Sequence, residues 1–316
     1  MIDVIVKNRK EEVKDIISFE LVEKDGGKLP PFTAGAHIDI YLKSGLTRQY
    51  SICNNPNDAN FYKVAILKES ASRGGSIEIH DTIKNEDILQ ISEPRNLFEL
   101  EPNAKKYLLF AAGIGITPIL SMAEYLADKG ADFQIHYSAK SKNSASFADQ
   151  LSSSKLGDFT KFYFSDENNR LDIQKELESI DSDAHIYVCG SNRYIDNILE
   201  VYSKLNLPES QIHREFFSSS VEVDESKDAE FEVELKNSGK IYTIPSDRTI
   251  FEVLDENGVE ITVSCEQGVC GSCMTKVIDG IPEHRDSFLL DSEKKANNII
   301  TPCCSRAKSE KLILDL

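Results

Sequence analysis

The sequence lacks an apolar run of about 18 residues, the shortest length that reads as a membrane-spanning helix. Its longest candidate, YLLFAAGIGITPIL at 107–120, is shorter and contains two glycines and a proline. The amino-terminal segment MIDVIVKNRKEE also has no signal-peptide pattern. These two absences predict a soluble, cytoplasmic protein that does not associate with membranes.

Basic residues are scarce. The 316 residues include 36 Lys or Arg against 53 Asp or Glu, which gives a formal net charge of −17. Because a phosphate backbone is bound by basic patches, this balance argues against nucleic acid as a partner. An acidic surface instead favours solubility, or steering toward a basic patch on another protein.

Residues that break regular structure are also few. The chain contains 16 glycines and 10 prolines, and 40% of its residues are hydrophobic. This composition argues against extensive disorder and predicts a packed core. The length is sufficient for two or three domains, and we find no internal repeats.

A disulfide framework is not expected, because the seven cysteines are odd in number and the protein is predicted to be cytosolic. Five of the seven fall within the last 52 residues. Such clustering indicates metal or redox chemistry rather than scattered packing thiols.

The first hundred residues are rich in short alternating or β-branched runs, which turn-forming stretches such as DGGK and NNPND separate. This spacing predicts an antiparallel sheet or small barrel. The predicted strands are VIVK (4–7), ISFELV (17–22), AHIDIYL (36–42), RQYSIC (48–53), FYKVAIL (61–67) and DILQIS (87–92).

From about residue 105 strands alternate with helices, which indicates a parallel α/β topology. A helical period covers 117–130 and ends in glycine, and further helices are predicted at 172–180 and 192–205. The predicted strands are KYLLFAA (106–112), FQIHYS (133–138), KFYFS (161–165) and HIYVCG (185–190).

A polar, acidic stretch, SSSVEVDESKDA at 218–229, indicates a linker. After it, 231–245 is typical of a β-hairpin, and TIFEVLDENG at 249–258 is typical of a short helix that ends at a glycine. The linker therefore separates a third domain from the rest of the chain.

This last domain begins its cysteine pattern with CEQGVCGSC at 265–273, and PCC follows at 302–304. The spacing C-x4-C-x2-C, with 29 residues before Cys303, is that of a plant-type 2Fe-2S site. Structural zinc usually requires paired C-x2-C knuckles, and only one such pair is present. Cys265, Cys270, Cys273 and Cys303 are the predicted ligands, although Cys304 is an alternative to Cys303.

Taken with GIPEHRD (280–286) and CCSRAKSEKLILDL (303–316), the cysteine loop resembles the phthalate dioxygenase reductase family over essentially the whole chain. The resemblance implies three domains. These are an FMN-binding antiparallel β-barrel at 1–102, a nicotinamide-binding α/β domain with a parallel sheet at 103–218 and, after a linker at 219–229, a β-grasp ferredoxin domain at 230–316.

The motif RQYS at 48–51 matches the flavin motif of that family, and SRGGS at 72–76 is a glycine turn whose N–H groups suit a phosphate. Arg48 offers a guanidinium that can bind a phosphate through two N–H groups. The resemblance implies FMN rather than FAD. The expected FMN-binding residues are Arg48, Tyr50, Ser51, Ala65, Ile66, Leu67, Gly74, Gly75, Ser76, Thr117 and Phe217.

AAGIGITPI at 111–119 lies between a strand and a helix, but it is not the dinucleotide fingerprint because the third glycine is absent. We expect Thr117 to cap the helix and Pro118 to take its first position. By resemblance, this turn and YVCGS (187–191) hold the nicotinamide cofactor, through Gly113, Gly115, Cys189 and Gly190. NADH is favoured over NADPH, with Lys140 and Lys142 as possible 2′-phosphate partners.

The family implies an NADH-dependent oxidoreductase that passes electrons through FMN and a 2Fe-2S cluster to a terminal Rieske-type oxygenase. No side chain is expected to act as acid or base, since the cofactors carry the chemistry. The oxygenase substrate is an aromatic acid by resemblance, and a quaternary amine is an alternative. A stand-alone flavin reductase and a redox sensor remain rival interpretations.

Overall fold

The computed structural model describes residues 1–58, 60–70, 74–219, 221 and 228–316. The chain divides into two compact units, Met1–Glu215 and Phe216–Leu316. The first unit contains both the predicted barrel and the predicted α/β domain, so these two share one compact body. The proposed bounds at 102 and 218 remain predictions.

A six-stranded antiparallel sheet forms the first part of this unit, with strand order β4-β3-β6-β1-β2-β5. All six predicted strands are confirmed, and the structure adds an unpredicted helix, α1 (Gly75–Thr82). The strands are β1 (Ile2–Val13), β2 (Ile16–Glu23), β3 (His37–Tyr41), β4 (Thr47–Ser51), β5 (Tyr62–Leu67) and β6 (Ile88–Ile91).

The two edge strands of this sheet, β4 and β5, come together, so that the sheet curls into a half-barrel. Just beyond β4, the Cys53 amide donates to the Lys63 carbonyl of β5 at 2.8 Å. The Asn54 side chain accepts from the Lys63 amide at 2.7 Å. These two hydrogen bonds form a seam between β4 and β5. Alternating side chains such as Ile38 and Ile40 fill the interior of the half-barrel.

A five-stranded sheet with order β11-β10-β7-β8-β9 follows, and β10, β7, β8 and β9 pair in parallel as predicted. The strands are β7 (Lys106–Ala112), β8 (Asp132–Ala139), β9 (Thr160–Phe164), β10 (Ala184–Gly190) and β11 (Ile212–Phe216). The helices are α2 (Ile116–Lys129), α3 (Ala148–Ser153), α4 (Ile173–Glu178) and α5 (Asn192–Lys204).

The strand order places its reversal between β7 and β10, which is the topological switch point where open α/β sheets bind ligands. Helix α2 begins directly after β7 and ends at Gly130, whose φ of 63° closes it. Ala65 of β5 lies in the same apolar cluster as Ile116 and Ile119 of α2, so one core joins the half-barrel to the parallel sheet.

The second unit contains a five-stranded sheet of order β13-β12-β18-β14-β16 with helix α6 against it, which is the β-grasp arrangement expected. Thr249 caps α6 by accepting from the Glu252 amide. The elements are β12 (Phe231–Leu235), β13 (Ile241–Ile244), α6 (Ile250–Glu256), β14 (Thr275–Asp279), β15 (Pro282–Glu283), α7 (Asp291–Ala296), β16 (Ile299–Ile300), β17 (Arg306–Ala307) and β18 (Lys311–Leu314).

The end of the predicted linker belongs to this unit. Residues 220 and 222–227 lie outside the described residues, but Asp228 is buried and receives two hydrogen bonds from Arg285, one of them at 2.9 Å. Arg306 lies 3.7 Å from the same carboxylate. A carboxylate shared by two buried guanidinium groups fixes the entry of the chain into the unit.

Across the part of the chain that the structure describes, no helix is long and apolar enough to cross a membrane.

Candidate cofactor-binding sites

The first site is the start of helix α1, beside Arg48 of β4. Gly74 has a φ of 98°, which is the conformation that favours glycine, and α1 begins at Gly75. A Cβ on Gly75 would lie 2.6 Å from Arg48 Nε, so the guanidinium contacts the backbone of the turn. Ser76 is buried and its hydroxyl accepts from the Glu69 amide. The arrangement of a cation beside the backbone N–H groups of a helix start fits a phosphate.

Replacing Arg48 with glutamine is expected to weaken FMN binding about 10- to 100-fold, because the loss removes a charge-assisted hydrogen bond worth about 1.5 to 3 kcal/mol. The Kd of apoprotein for FMN, measured by quenching of flavin fluorescence, tests this. Arg9→Gln is the matched control, since Arg9 donates to the His80 carbonyl at the other end of α1. Equal losses in the two variants would contradict the phosphate site.

The other expected flavin residues lie along the seam between β4 and β5. Tyr50 packs against the core of the half-barrel, and burial raises its pKa. Ala65 and Ile66 are buried on β5. His80 of α1 contacts the Ile66 carbonyl at 2.9 Å, so α1 is tied to the same strand. Ser72 and Arg73 of the predicted glycine turn lie outside the described residues.

A buried polar pair, unforeseen from the sequence, links the half-barrel to the parallel sheet. The Ser51 hydroxyl donates to Glu215 Oε2 at 3.2 Å. Glu215 keeps some accessible surface, but its carboxyl group is enclosed by protein, and burial raises its pKa to about 8. Burial raises the pKa of the Cys189 thiol, and the charge of Glu215 raises it further. Ser51, Cys189 and Glu215 are therefore neighbours, and Glu215 joins the candidate site.

The glycine turn after β7 lies directly against the end of β10. A Cβ on Gly115 would approach the Cys189 carbonyl oxygen to 2.4 Å and the Gly190 amide to 2.6 Å. Gly113 has a φ of 56°. The four expected nicotinamide residues, Gly113, Gly115, Cys189 and Gly190, thus meet at the switch point, where backbone can approach a ligand closely.

The predicted cap of helix α2 is wrong. A 3-10 turn at Gly113–Gly115 precedes the helix, which begins at Ile116 with Gly115 before it. Thr117 is therefore the second helical residue, and its buried hydroxyl donates to the Ile114 carbonyl at 3.0 Å. The 3-10 turn supplies hydrogen bonds that a side-chain cap would otherwise make, and the helix begins two residues before the predicted first position at Pro118.

Replacing Gly115 with alanine is expected to impair NADH use while FMN stays bound, because the added Cβ must displace the backbone of Cys189 and Gly190. We expect the KM for NADH to increase tenfold or more, which corresponds to a loss of about 1.4 kcal/mol or more of binding free energy. Steady-state reduction of ferricyanide measures it. Gly27→Ala is the control, since neither Gly27 nor Gly115 has a positive φ, and a Cβ on Gly27 would meet only the Glu23 side chain.

The four predicted cluster cysteines converge in the second unit. Cys273 Sγ lies 3.3 Å from Cys303 Sγ, and Cys303 also neighbours Cys265. Hydrogen bonding from the Cys270 thiol lowers the pKa of Cys265. Two neighbouring sulfur pairs, Cys265 with Cys270 and Cys273 with Cys303, suit two irons with two thiolates each.

Backbone N–H groups already point at these sulfurs. The Gln267 amide donates to Cys265 Sγ and the Ser272 amide to Cys270 Sγ, both at 3.4 Å. Gly268 and Gly271 have φ of 68° and 71°, which lets the loop fold around the sulfurs. Such N–H contacts favour thiolates and tune the potential of a bound cluster. The residues present therefore fit a 2Fe-2S cluster.

Cys304 contacts this group through the thiol of Cys303. Its sulfur lies 3.3 Å from the Thr301 hydroxyl, and a Cβ on Gly268 would lie 2.5 Å from it. The thiol thus packs behind the loop, as expected for a packing residue. This geometry favours Cys303 over Cys304 as the fourth ligand.

Phe217, the last expected flavin residue, is 40% exposed.

Comparison with known proteins finds two matching family models. A family model described as a 2Fe-2S iron-sulfur cluster binding domain matches residues 233–308. A model described as the N-terminal domain of dimethylamine monooxygenase subunit DmmA-like proteins matches residues 92–212.

Full-length relatives exist. A vanillate O-demethylase oxidoreductase from a Pseudomonas species is 44% identical, with 100% of both chains covered. The carnitine monooxygenase reductase subunit of Escherichia coli is 34% identical over 100% of this chain and 98% of its own. The solved structure of phthalate dioxygenase reductase is 36% identical with a TM-score of 0.74, and the match covers 99% of this chain and 97% of that one.

Proposed function

The chain belongs to the phthalate dioxygenase reductase family, and we propose that it is the reductase of a two-component system whose terminal Rieske-type oxygenase demethylates an aromatic acid of the vanillate type. It is an oxidoreductase that uses NADH, FMN and a 2Fe-2S cluster. The vanillate-type substrate is supported by the 44% identity to a vanillate O-demethylase oxidoreductase over the full length.

When bound, NADH supplies a hydride, FMN accepts two electrons and releases them singly, and the cluster carries one electron at a time. In this proposal Arg48 and the start of α1 hold the FMN phosphate, and the turn at Gly115 holds the pyrophosphate of NADH. Ser51, Cys189 and Glu215 are the enclosed residues that would face the bound cofactors. They orient the reacting rings and keep water away, because burial around Glu215 leaves little solvent there.

The four cysteines hold the cluster as thiolates, and the N–H groups of Gln267 and Ser272 stabilise their charge. The observation that carries the proposal is that these sulfurs converge in one unit while the other unit combines a phosphate cradle with a nicotinamide turn. A chain with both sites can convert a two-electron donor into a one-electron donor for a protein partner.

Reconstitution tests the choice of partner. The holoprotein is mixed with NADH and either a vanillate oxygenase with vanillate or a carnitine oxygenase with carnitine, and product formation per NADH is measured. We expect at least tenfold higher kcat/KM for the vanillate oxygenase, or about 1.4 kcal/mol of discrimination.

The carnitine system is the second candidate, because its reductase subunit is 34% identical over the whole chain. A preference for the carnitine oxygenase would overturn the vanillate assignment and retain the reductase role. Turnover of free flavins or dyes without coupling to either oxygenase would instead favour a stand-alone flavin reductase.

A further inference from the structure

The segment GIPEHRD (280–286) places a histidine with unusual surroundings in the second unit. The His284 side chain is only 9% exposed, and neither ring nitrogen has a hydrogen-bond partner among the described residues. Its Nδ1 lies 3.8 Å from Oδ1 of Asp286, which is fully buried. Buried polar groups are normally paired, so an unpaired imidazole beside a buried carboxylate calls for a function.

Asp286 lies directly behind the cysteine loop. Its Cα is 2.9 Å from the position that a Cβ on Gly268 would take, and the Ser287 amide donates to the Gly268 carbonyl at 2.9 Å. The Asp286 carboxylate accepts from the Leu289 amide at 2.7 Å and from the Thr301 hydroxyl at 3.4 Å. Asp286 is thus packed between the two stretches that carry the cluster cysteines, and His284 lies beside it.

The other charged groups around His284 already have partners. Lys294 of α7 lies 3.8 Å from Asp286 Oδ2 and donates to the Asp286 carbonyl. Arg285 is bound by Asp228 and Glu283. Arg306 of β17, which lies near Arg285, pairs with Asp228, and Cys304, which lies near Asp286, contacts Thr301. His284 is also the only one of the six histidines in 216–316.

We propose that His284, held next to Asp286, takes up a proton when the 2Fe-2S cluster accepts an electron, so that the reduction potential of the cluster depends on pH. This proposal rests on the cluster site of the proposed function. The added electron raises the negative charge behind Gly268, and in a buried site of low dielectric constant a neutral imidazole can balance it by becoming a cation.

The balance is one electron and one proton. The electron arrives from the reduced flavin that NADH supplies, and the proton comes from solvent through the 9% of the side chain that is exposed. The proton forms an N–H bond on the ring and breaks no bond in the protein. On reoxidation by the partner, the electron leaves and His284 returns the proton to solvent.

The test is a redox titration of the full-length holoprotein between pH 6 and pH 9, with the cluster followed by its electron paramagnetic resonance signal so that the flavin does not interfere. We expect the equilibrium constant for cluster reduction to fall up to tenfold per pH unit over part of this range, which is about 59 mV for a one-electron couple. His284→Gln should remove this slope. A potential that is independent of pH in the unchanged protein, or a slope that persists in His284→Gln, would overturn the proposal.

His213→Gln is the matched control, because His213 is a partly buried histidine of the first unit, where it pairs with His185 at 2.9 Å. It should keep the slope. If His284→Gln fails to hold a cluster, the imidazole resonances of the unchanged protein are titrated by NMR in both redox states. A higher titration midpoint in the reduced state supports the proposal, and equal midpoints contradict it. Absence of any cluster signal in the unchanged protein would instead refute the proposed function.

Discussion

Cys270→Ala is expected to abolish the 2Fe-2S cluster and to reduce cytochrome c reduction by about 100-fold or more, since even outer-shell changes at metal sites cost 10- to 100-fold. Cys270 is buried beside Cys265 and hydrogen-bonded to Ser272, so no other thiol can take its place without moving the loop. Iron and sulfide analysis, the visible spectrum and the cytochrome c assay measure the loss.

The same variant should keep NADH-driven reduction of ferricyanide within about twofold, because distant and independent sites behave additively. Ferricyanide takes electrons directly from the flavin, and the phosphate cradle at Arg48 lies in the other compact unit. Loss of both activities at normal flavin content would contradict a modular arrangement of the two sites.

Cys304→Ala is the matched control for this prediction. Cys304 is the neighbour of Cys303 in sequence, but its sulfur packs against Gly268 and Thr301. Thr301 keeps a hydrogen bond to Ser305 at 2.8 Å when the thiol is removed. The cluster and both activities should therefore persist. Loss of the cluster in Cys304→Ala, with retention in Cys303→Ala, would reverse the ligand assignment.

The sequence predicted those features that depend on short-range spacing. The cluster loop is one example, because Cys265, Cys270 and Cys273 lie within nine residues, and small residues between them leave few ways to fold. Strand and helix alternation in 105–205 is another, because period and length distinguish the two kinds of element. Family resemblance added Arg48 and Gly75, and the structure brings these two into contact.

Features that depend on contacts between distant segments were not predictable. Glu215 lies one residue before the end of β11, beside Arg214, and resembles a solvated carboxylate, yet Ser51, 164 positions earlier, lies against it and its carboxyl group is enclosed. Asp228 belongs to an acidic stretch that reads as linker, and only the fold brings Arg285 to it. Helix α1 has eight residues, too few to show a clear period.

Glu215→Gln is expected to change how stability depends on pH. The pKa of Glu215 is raised from 4.5 to about 8 in the folded protein, so folding favours the neutral acid. Its contribution to stability is fully present below pH 4.5, declines as the pH rises and is lost above about pH 8. A pKa shift of this size corresponds to a change of about a few kcal/mol in the free energy of unfolding between low and high pH. Glutamine is neutral at every pH, so the variant should be more stable than the unchanged protein above pH 8.

Thermal unfolding of the FMN-loaded protein, followed by flavin release at pH 6 and pH 9.5, measures this difference. The variant should lose less of its Tm between the two values than the unchanged protein loses. Glu167→Gln is the control, because Glu167 is an exposed residue of the same unit. An equal change of Tm between the two pH values in all three proteins would show that Glu215 ionises in the folded protein as it does in water.

The same ionisation should govern flavin reduction. In the structure Glu215 Oε2 accepts the Ser51 O–H. A neutral Glu215 can reverse this bond and donate its own O–H to Ser51, which leaves the single O–H of Ser51 for the flavin, whereas ionised Glu215 can only accept and holds that O–H. The rate of flavin reduction by NADH should therefore fall about tenfold above pH 8, the equivalent of one hydrogen bond. Glu215→Gln keeps an N–H donor toward Ser51, so stopped-flow measurements should show its rate sustained to pH 9.5. A decline shared by both proteins would remove Glu215 from the hydride-transfer site.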